Sequence, residues 1–213
     1  MDVPEDSNLD AEDQVFVEHY MVAFVDLLGQ QEELSKMVSL PSKSEPEEYE
    51  KFIEVLKKTI GSVKSLQEDA MSFFDVFTKE KENSLINIFP GFEKTQPRQI
   101  KFQHFSDGLV IYVPLGNRHE LSAISAVYGV LLACGYLTLL GLAQKRPVRI
   151  GISVGLGTEV DDEIYGKVLA DAYIAESKIA QMPRAVVTND VLGYINFKSN
   201  GEVEGIGENS RLY

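Results

Sequence analysis

The sequence predicts an α+β fold, an antiparallel-rich mixed sheet with helices packed on it. Three observations carry this prediction. An apolar run, Val22-Ala23-Phe24-Val25, ends on Asp26 and is followed by a glycine turn at Gly29. Two further extended runs meet at Asp107-Gly108, a dipeptide that favours a tight hairpin. Finally, Val148 to Gly155 alternates strictly, with Val148, Ile150, Ile152 and Val154 on one face and Arg149, Gly151, Ser153 and Gly155 on the other.

In chain order, residues 1–14 read as a flexible acidic lead and 15–213 as a single domain. The first strand is expected over Val15–Val25, with Gly29 letting the backbone turn sharply after Asp26. Pro41 to Pro46 reads as a loop. From Glu47 to about Lys81, apolar residues such as Phe52, Val55, Leu66, Ala70, Phe73 and Phe77 recur at three- and four-residue steps, the signature of a core-facing helix. Gly61 is expected to kink or divide it. Lys79 to Pro97 reads as a polar connection with an apolar island at Leu85–Phe89.

The hairpin over Gln99–Val113 comes next, then a helix from about Glu120 to Lys145. Leu121 to Gln144 carries no charge and is long enough to cross a bilayer. Its recurring small residues, and the strand that follows Pro147, favour a buried helix of a soluble core instead. The glycine and serine face of the 148–155 strand admits something close to the backbone, either another element or a ligand. Gly155–Asp162 is expected to be a turn-rich acidic loop. Gly166 to about Gln181 reads as a helix with Val168, Leu169, Ala172, Ala175 and Ile179 on one side. Pro183–Thr188 is a short strand, and Asn189 opens a last helical turn through Ile195. The order, with helices expected on one face, gives a ferredoxin-like βαββαβ core.

Composition narrows the function. The 213 residues carry a formal net charge of -13, with a pI near 4.7. Such a chain lacks the basic face that nucleic acid needs, and an anionic membrane surface would repel it. A single cysteine, Cys134, excludes an intrachain disulfide and a cysteine-rich zinc site. The acidic start lacks the basic and apolar segments of a secretory signal, so the expected location is the cytoplasm.

The chemistry is expected at Asp26 and Asp107. In a ferredoxin-like sheet the first strand lies beside the hairpin, so the two carboxylates converge at one end. Hard divalent cations are commonly held by one or two carboxylates together with substrate phosphates. The turn Leu27, Leu28, Gly29, Gln30 offers backbone amides to phosphate oxygens. Two unrelated turn aspartates remain the alternative. His104 points away from the face of Asp107 by strand alternation, and His19 and His119 have no partners at ligand spacing. Tyr49 and Tyr173 read as structural.

The succession VAFVDLLGQ, FSDGLVIYV, VRIGISVGLG, IYGKVLADAYIAESKIA and PRAVV resembles the class III nucleotide cyclase domain. Within that superfamily it is most similar to the bacterial pyrimidine nucleotide cyclases of the Pycsar anti-phage system, over about Val22 to Ile195. The resemblance implies a lyase that converts UTP, in preference to CTP, to the 3′,5′-cyclic nucleotide and pyrophosphate. It implies that Asp26 and Asp107, with the Leu27 main chain, hold two Mg²⁺ or Mn²⁺ ions. It implies that Leu27 to Gln30 form the phosphate turn. It also implies a head-to-tail homodimer whose composite sites take the aspartates from one chain and the 163–176 segment from the other.

The departures from the family pattern are specific. The asparagine and arginine that purine cyclases carry on the helix after Gly166 are replaced by Ala170 and Ile174, and the purine-reading residue by Gln103. A pyrimidine substrate is compatible with this, and so is an inactive nucleotide-binding or sensor module. Gln103, Glu163 and Tyr165 are the candidates for reading the base. Arg149 and Arg184 are candidates for a transition-state cation, or else members of structural ion pairs.

Overall fold

A computed structural model of the chain describes residues 16–29, 46–88, 99–105, 107–116 and 122–200, with the isolated positions 35, 39 and 41. The acidic lead, Gln30, the 89–98 connection, His119 and the glycine-bearing tail lie outside these residues. Strand β1 (Val17–Leu27) leads to helix α1 (Pro46–Ile88) and then to the hairpin β2 (Lys101–Phe105) and β3 (Gly108–Gly116). Helix α2 (Ser122–Ala143) precedes β4 (Val148–Val160) and β5 (Glu163–Tyr165). Helix α3 (Lys167–Ile174) runs into a π-helical stretch, Ala175–Ala180, before β6 (Arg184–Val187) and α4 (Asn189–Asn200).

The strands form one six-stranded sheet in the order β2-β3-β1-β4-β5, with β6 pairing β4. The β4–β6 pair is parallel and the others are antiparallel. β1 lies between β3 and β4, as the expected core requires.

The helices do not lie on one face. Tyr20, Met21, Val22 and Ala23 are all buried although successive side chains point to opposite faces. A continuous apolar strand of this kind needs cover on both sides. One face carries Met21, Val25, Ile111 and Ile150 against α1, α2 and α4. The other packs Tyr20, Val22, Val110 and Tyr112 against Val168 and Ala172 of α3.

Three other expectations are corrected. α1 is not divided at Gly61 and continues to Ile88, through the stretch read as a polar connection. One internal glycine costs about 1 kcal/mol relative to alanine, which the packed stripe outweighs. The residues from Lys79 to Ile88 contain no breaker. The supposed loop at Gly155–Asp162 belongs to a hairpin. β4 runs to Val160 and returns as β5 through Asp161 and Asp162, both at positive φ (53° and 61°). A two-residue hairpin turn of this hand needs two left-handed residues, and aspartate tolerates that region.

α2 is long and apolar enough to cross a membrane, and 44% of its Ala126–Ala143 window is buried inside the molecule. Val127, Val130, Cys134 and Leu137 form its inner side, within the larger core.

Candidate active site

One row of residues crosses five strands at the end of the sheet. Phe105 pairs with Gly108, Gly108 with Asp26, Asp26 with Arg149, and Arg149 with Arg184. Residues paired across a sheet share a face, so this row faces the side that carries α3. Asp107, in the tight turn between β2 and β3, sits one residue before Gly108. Its carbonyl accepts the Leu27 N–H at 3.4 Å. The two predicted aspartates are thus brought to the same corner by register.

Asp26 is held by Arg149, whose Nη2 lies 2.8 Å from Oδ2. Burial raises the Asp26 pKa above its ordinary value. The arginine opposes that shift and the charge of Asp107 adds to it. The charged form of Asp26 is therefore incompletely compensated for burial even with Arg149 beside it.

The other side of Arg149 meets a residue that the sequence reading did not single out. Glu176, only 2% exposed, places Oε1 2.7 Å from Arg149 Nε. The two groups are in ion-pair contact, with the Nε–H poorly aligned to that oxygen. Burial is the main cause of a raised Glu176 pKa, and the negative charges of Asp26 and Asp107 add to it while Arg149 opposes.

Glu176 reaches this position because the helix after Gly166 ends in π-helical turns. These take about one extra residue per turn and rotate the buried face. Ala175, Glu176 and Ala180 are turned inward, and Ile179, expected inside, is 45% exposed. The glycine face of β4 makes room for it: Gly151 lies against the backbone at Ala172 and Glu176. What approaches that face is a helix.

The turn after β1 is tighter in donors than expected. The Leu27 N–H goes to Asp107 and the Leu28 N–H to the Pro147 carbonyl at 2.9 Å. Two of the four amides read as phosphate donors are therefore spent inside the sheet. Gly29, at φ 90°, makes the turn itself. Arg184, level with Arg149 on the next strand, is exposed and donates to the Ile179 carbonyl at the end of the π stretch.

Among the described residues no cluster of three His, Cys, Asp or Glu side chains is gathered to hold a metal ion. The donor set that is present, two carboxylates with main-chain oxygens nearby, is the hard, oxygen-only kind that suits Mg²⁺ or Mn²⁺ completed by substrate phosphates.

No family model and no curated protein matches the chain. Solved structures do. The adenylyl cyclase CyaB from P. aeruginosa is 15% identical, with 86% of this chain and 83% of that one covered, at a TM-score of 0.47. The monomeric guanylyl cyclase domain of the RhoGC fusion protein from the aquatic fungus Blastocladiella emersonii is 12% identical, over 85% of this chain and 88% of that one, at a TM-score of 0.50. The fold is that of a class III nucleotide cyclase domain.

Within this cyclase fold the remaining candidates group apart from the aspartate corner. Gln103 is buried, and its Oε1 accepts the Ile164 N–H at 3.0 Å. Tyr165 donates to the Glu163 carboxylate on the same strand. Gln103, Glu163 and Tyr165 thus come together where β2 meets β5. Gln103 lies on β2 two residues before Phe105, about 7 Å along the strand from the row that holds Asp26. His104, on the opposite face, pairs with Gln67 Oε1 at 2.8 Å. Ala170 is exposed and Ile174 half-buried on α3. Tyr173, 51% exposed, packs edge-on against Phe24 with ring centroids 5.3 Å apart.

Proposed function

We propose that the chain is a metal-dependent nucleotide cyclase acting on a pyrimidine nucleoside triphosphate, UTP in preference to CTP. The observation that supports this most is the corner itself: Asp26 and Asp107, 81 positions apart, meet where Arg149 and Arg184 also stand. In this reading Asp26 and Asp107, with the Leu27 carbonyl, hold two Mg²⁺ or Mn²⁺ ions. Bound there, such ions neutralise the triphosphate and activate the ribose 3′-hydroxyl. Of the turn's described amides, that of Gly29 is left to donate to phosphate oxygens, since those of Leu27 and Leu28 are engaged.

The reaction is attack of the ribose 3′-oxygen on the α-phosphorus. The new P–O bond closes the ring, the bond to the β-phosphate oxygen breaks, and pyrophosphate leaves. Phosphoryl transfer of this kind asks the protein mainly for positioning and charge. Arg149 and Arg184 are the candidates for the positive charge that purine cyclases draw from the side chain replaced here by Ile174. Gln103, Glu163 and Tyr165 are joined through β5 and not through the aspartate row. They would read the base of a nucleotide held by the partner of a head-to-tail homodimer. The assignment to pyrimidines and to cytoplasmic anti-phage signalling rests on the sequence resemblance and on the replaced purine reader. Turnover of each of the four ribonucleoside triphosphates with Mn²⁺ tests it. UTP is expected to give the fastest cyclic product, and a preference for ATP or GTP would refute the pyrimidine assignment.

A second reading is a cyclase-fold module that binds nucleotide without turnover. Ala170 and Ile174, which carry no catalytic group, favour it. Calorimetry that detects nucleotide binding while no pyrophosphate forms would select it.

A further inference from the structure

We propose that Glu176 is a positioning residue that takes Arg149 from Asp26 when Asp26 turns to divalent cations. This rests on the cation-site reading above and assigns a part to a buried acid which that reading leaves unused.

Arg149 reaches two carboxylates through different nitrogens: Nη2 to Asp26 Oδ2 at 2.8 Å, and Nε to Glu176 Oε1 at 2.7 Å. The two acids differ in setting. The Asp26 side chain is 21% exposed, at the open end of the sheet, and that of Glu176 is 3% exposed, beneath the π stretch. A guanidinium and a hard cation compete for the same oxygens of Asp26. When the cation takes them, Arg149 must either remain beside it, like charge against like, or lean on another acid. Glu176 is that acid. Its Oε1 is buried and already within ion-pair distance, with the Nε–H poorly aligned to it. A slight turn of the guanidinium away from Asp26 aligns Nε–H with it. The fold spends a buried charge, a glycine at 151 and a π-helical distortion to keep Glu176 there. A plain structural ion pair needs none of these to sit against a metal-binding acid.

Mn²⁺ binding without nucleotide tests this, read from the electron paramagnetic resonance signal of free Mn²⁺ with the 213-residue chain. Glu176→Gln leaves Asp26 as the acid that Arg149 pairs with among the described residues, and its Mn²⁺ affinity should fall by about 10-fold or more. Arg149→Gln/Glu176→Gln removes competitor and acceptor together and should bind Mn²⁺ at least as tightly as wild type. A merely structural Glu176 would lower the melting temperature of the single variant and leave its Mn²⁺ affinity unchanged. That result, or a double variant as weak as Glu176→Gln, overturns the proposal. If the single variant does not fold, the double variant decides alone: affinity below wild type overturns the proposal. Wild type binding Mn²⁺ no better than Asp26→Asn/Asp107→Asn would instead remove the cation site, and this inference with it.

Discussion

Gly151 and Glu176 touch backbone to backbone: a Cβ on Gly151 would lie 2.3 Å from the Glu176 nitrogen and 2.1 Å from the Ala172 carbonyl oxygen. No side chain fits there without moving the α3–π segment off β4. Gly151→Ala is therefore expected to cost about 3 kcal/mol, the upper end of ordinary overpacking. For a chain of this size that lowers the melting temperature by roughly 10 °C. Thermal unfolding followed by circular dichroism checks it. An unchanged melting temperature would mean the segment is not seated as described.

Gln103 gives a different kind of prediction. Its side-chain carbonyl accepts the Ile164 N–H in a buried setting. Gln103→Leu leaves that donor unsatisfied, at about 1–3 kcal/mol. The local readout is amide exchange: the Ile164 N–H should lose protection in the variant while β1 amides keep theirs. Retained protection at Ile164 would show that the amide has another acceptor.

Cys134 is fully buried in the core side of α2, and burial pushes its thiol from the ordinary 9.0 up to about 12. Disulfide reagents should leave the folded chain unmodified at pH 8 and react at once after unfolding. The same shift fixes a sign. The thiol of the unfolded chain ionises near pH 9, where the folded one does not. This contribution to stability is therefore complete below pH 9 and is lost as the pH rises toward 12. Cys134→Ala should remove that part of the alkaline loss, as measured by denaturant titration at pH 7 and pH 10.

The aspartate corner was legible because its signals are local. An apolar run closing on an acid, and an Asp-Gly between two strands, each fix an end of a strand, and sheet pairing does the rest. Glu176 was not legible, because a 3.6-residue period places Ile179 inside, and the period is broken in the last six residues of that segment. The run of small residues Ala172, Ala175 and Ala180 around an acid, facing the glycine at 151, was the available hint. The β4–β5 hairpin was missed because Asp161-Asp162 reads as solvated charge until its two positive φ values are seen. Covering helices on both faces followed from β1, whose unbroken apolar character was visible but was read only for its terminal acid.

Chelation offers a check that needs no variant. With the donor set confined to carboxylates, main chain and phosphates, EDTA should abolish cyclic product. Mn²⁺ should restore it without refolding, since β1, β3 and β4 are held to one another by backbone hydrogen bonds. Activity that survives EDTA would contradict the cation site.

The most direct test of the central claim is cyclic-nucleotide and pyrophosphate release from UTP with Mn²⁺, compared between wild type, Asp26→Asn and Asp107→Asn. Turnover should fall by about 100-fold or more in each variant, as removal of a transition-state contact does, while their melting curves stay cooperative. Equal turnover in all three proteins, or none from any nucleoside triphosphate in wild type, would contradict the account.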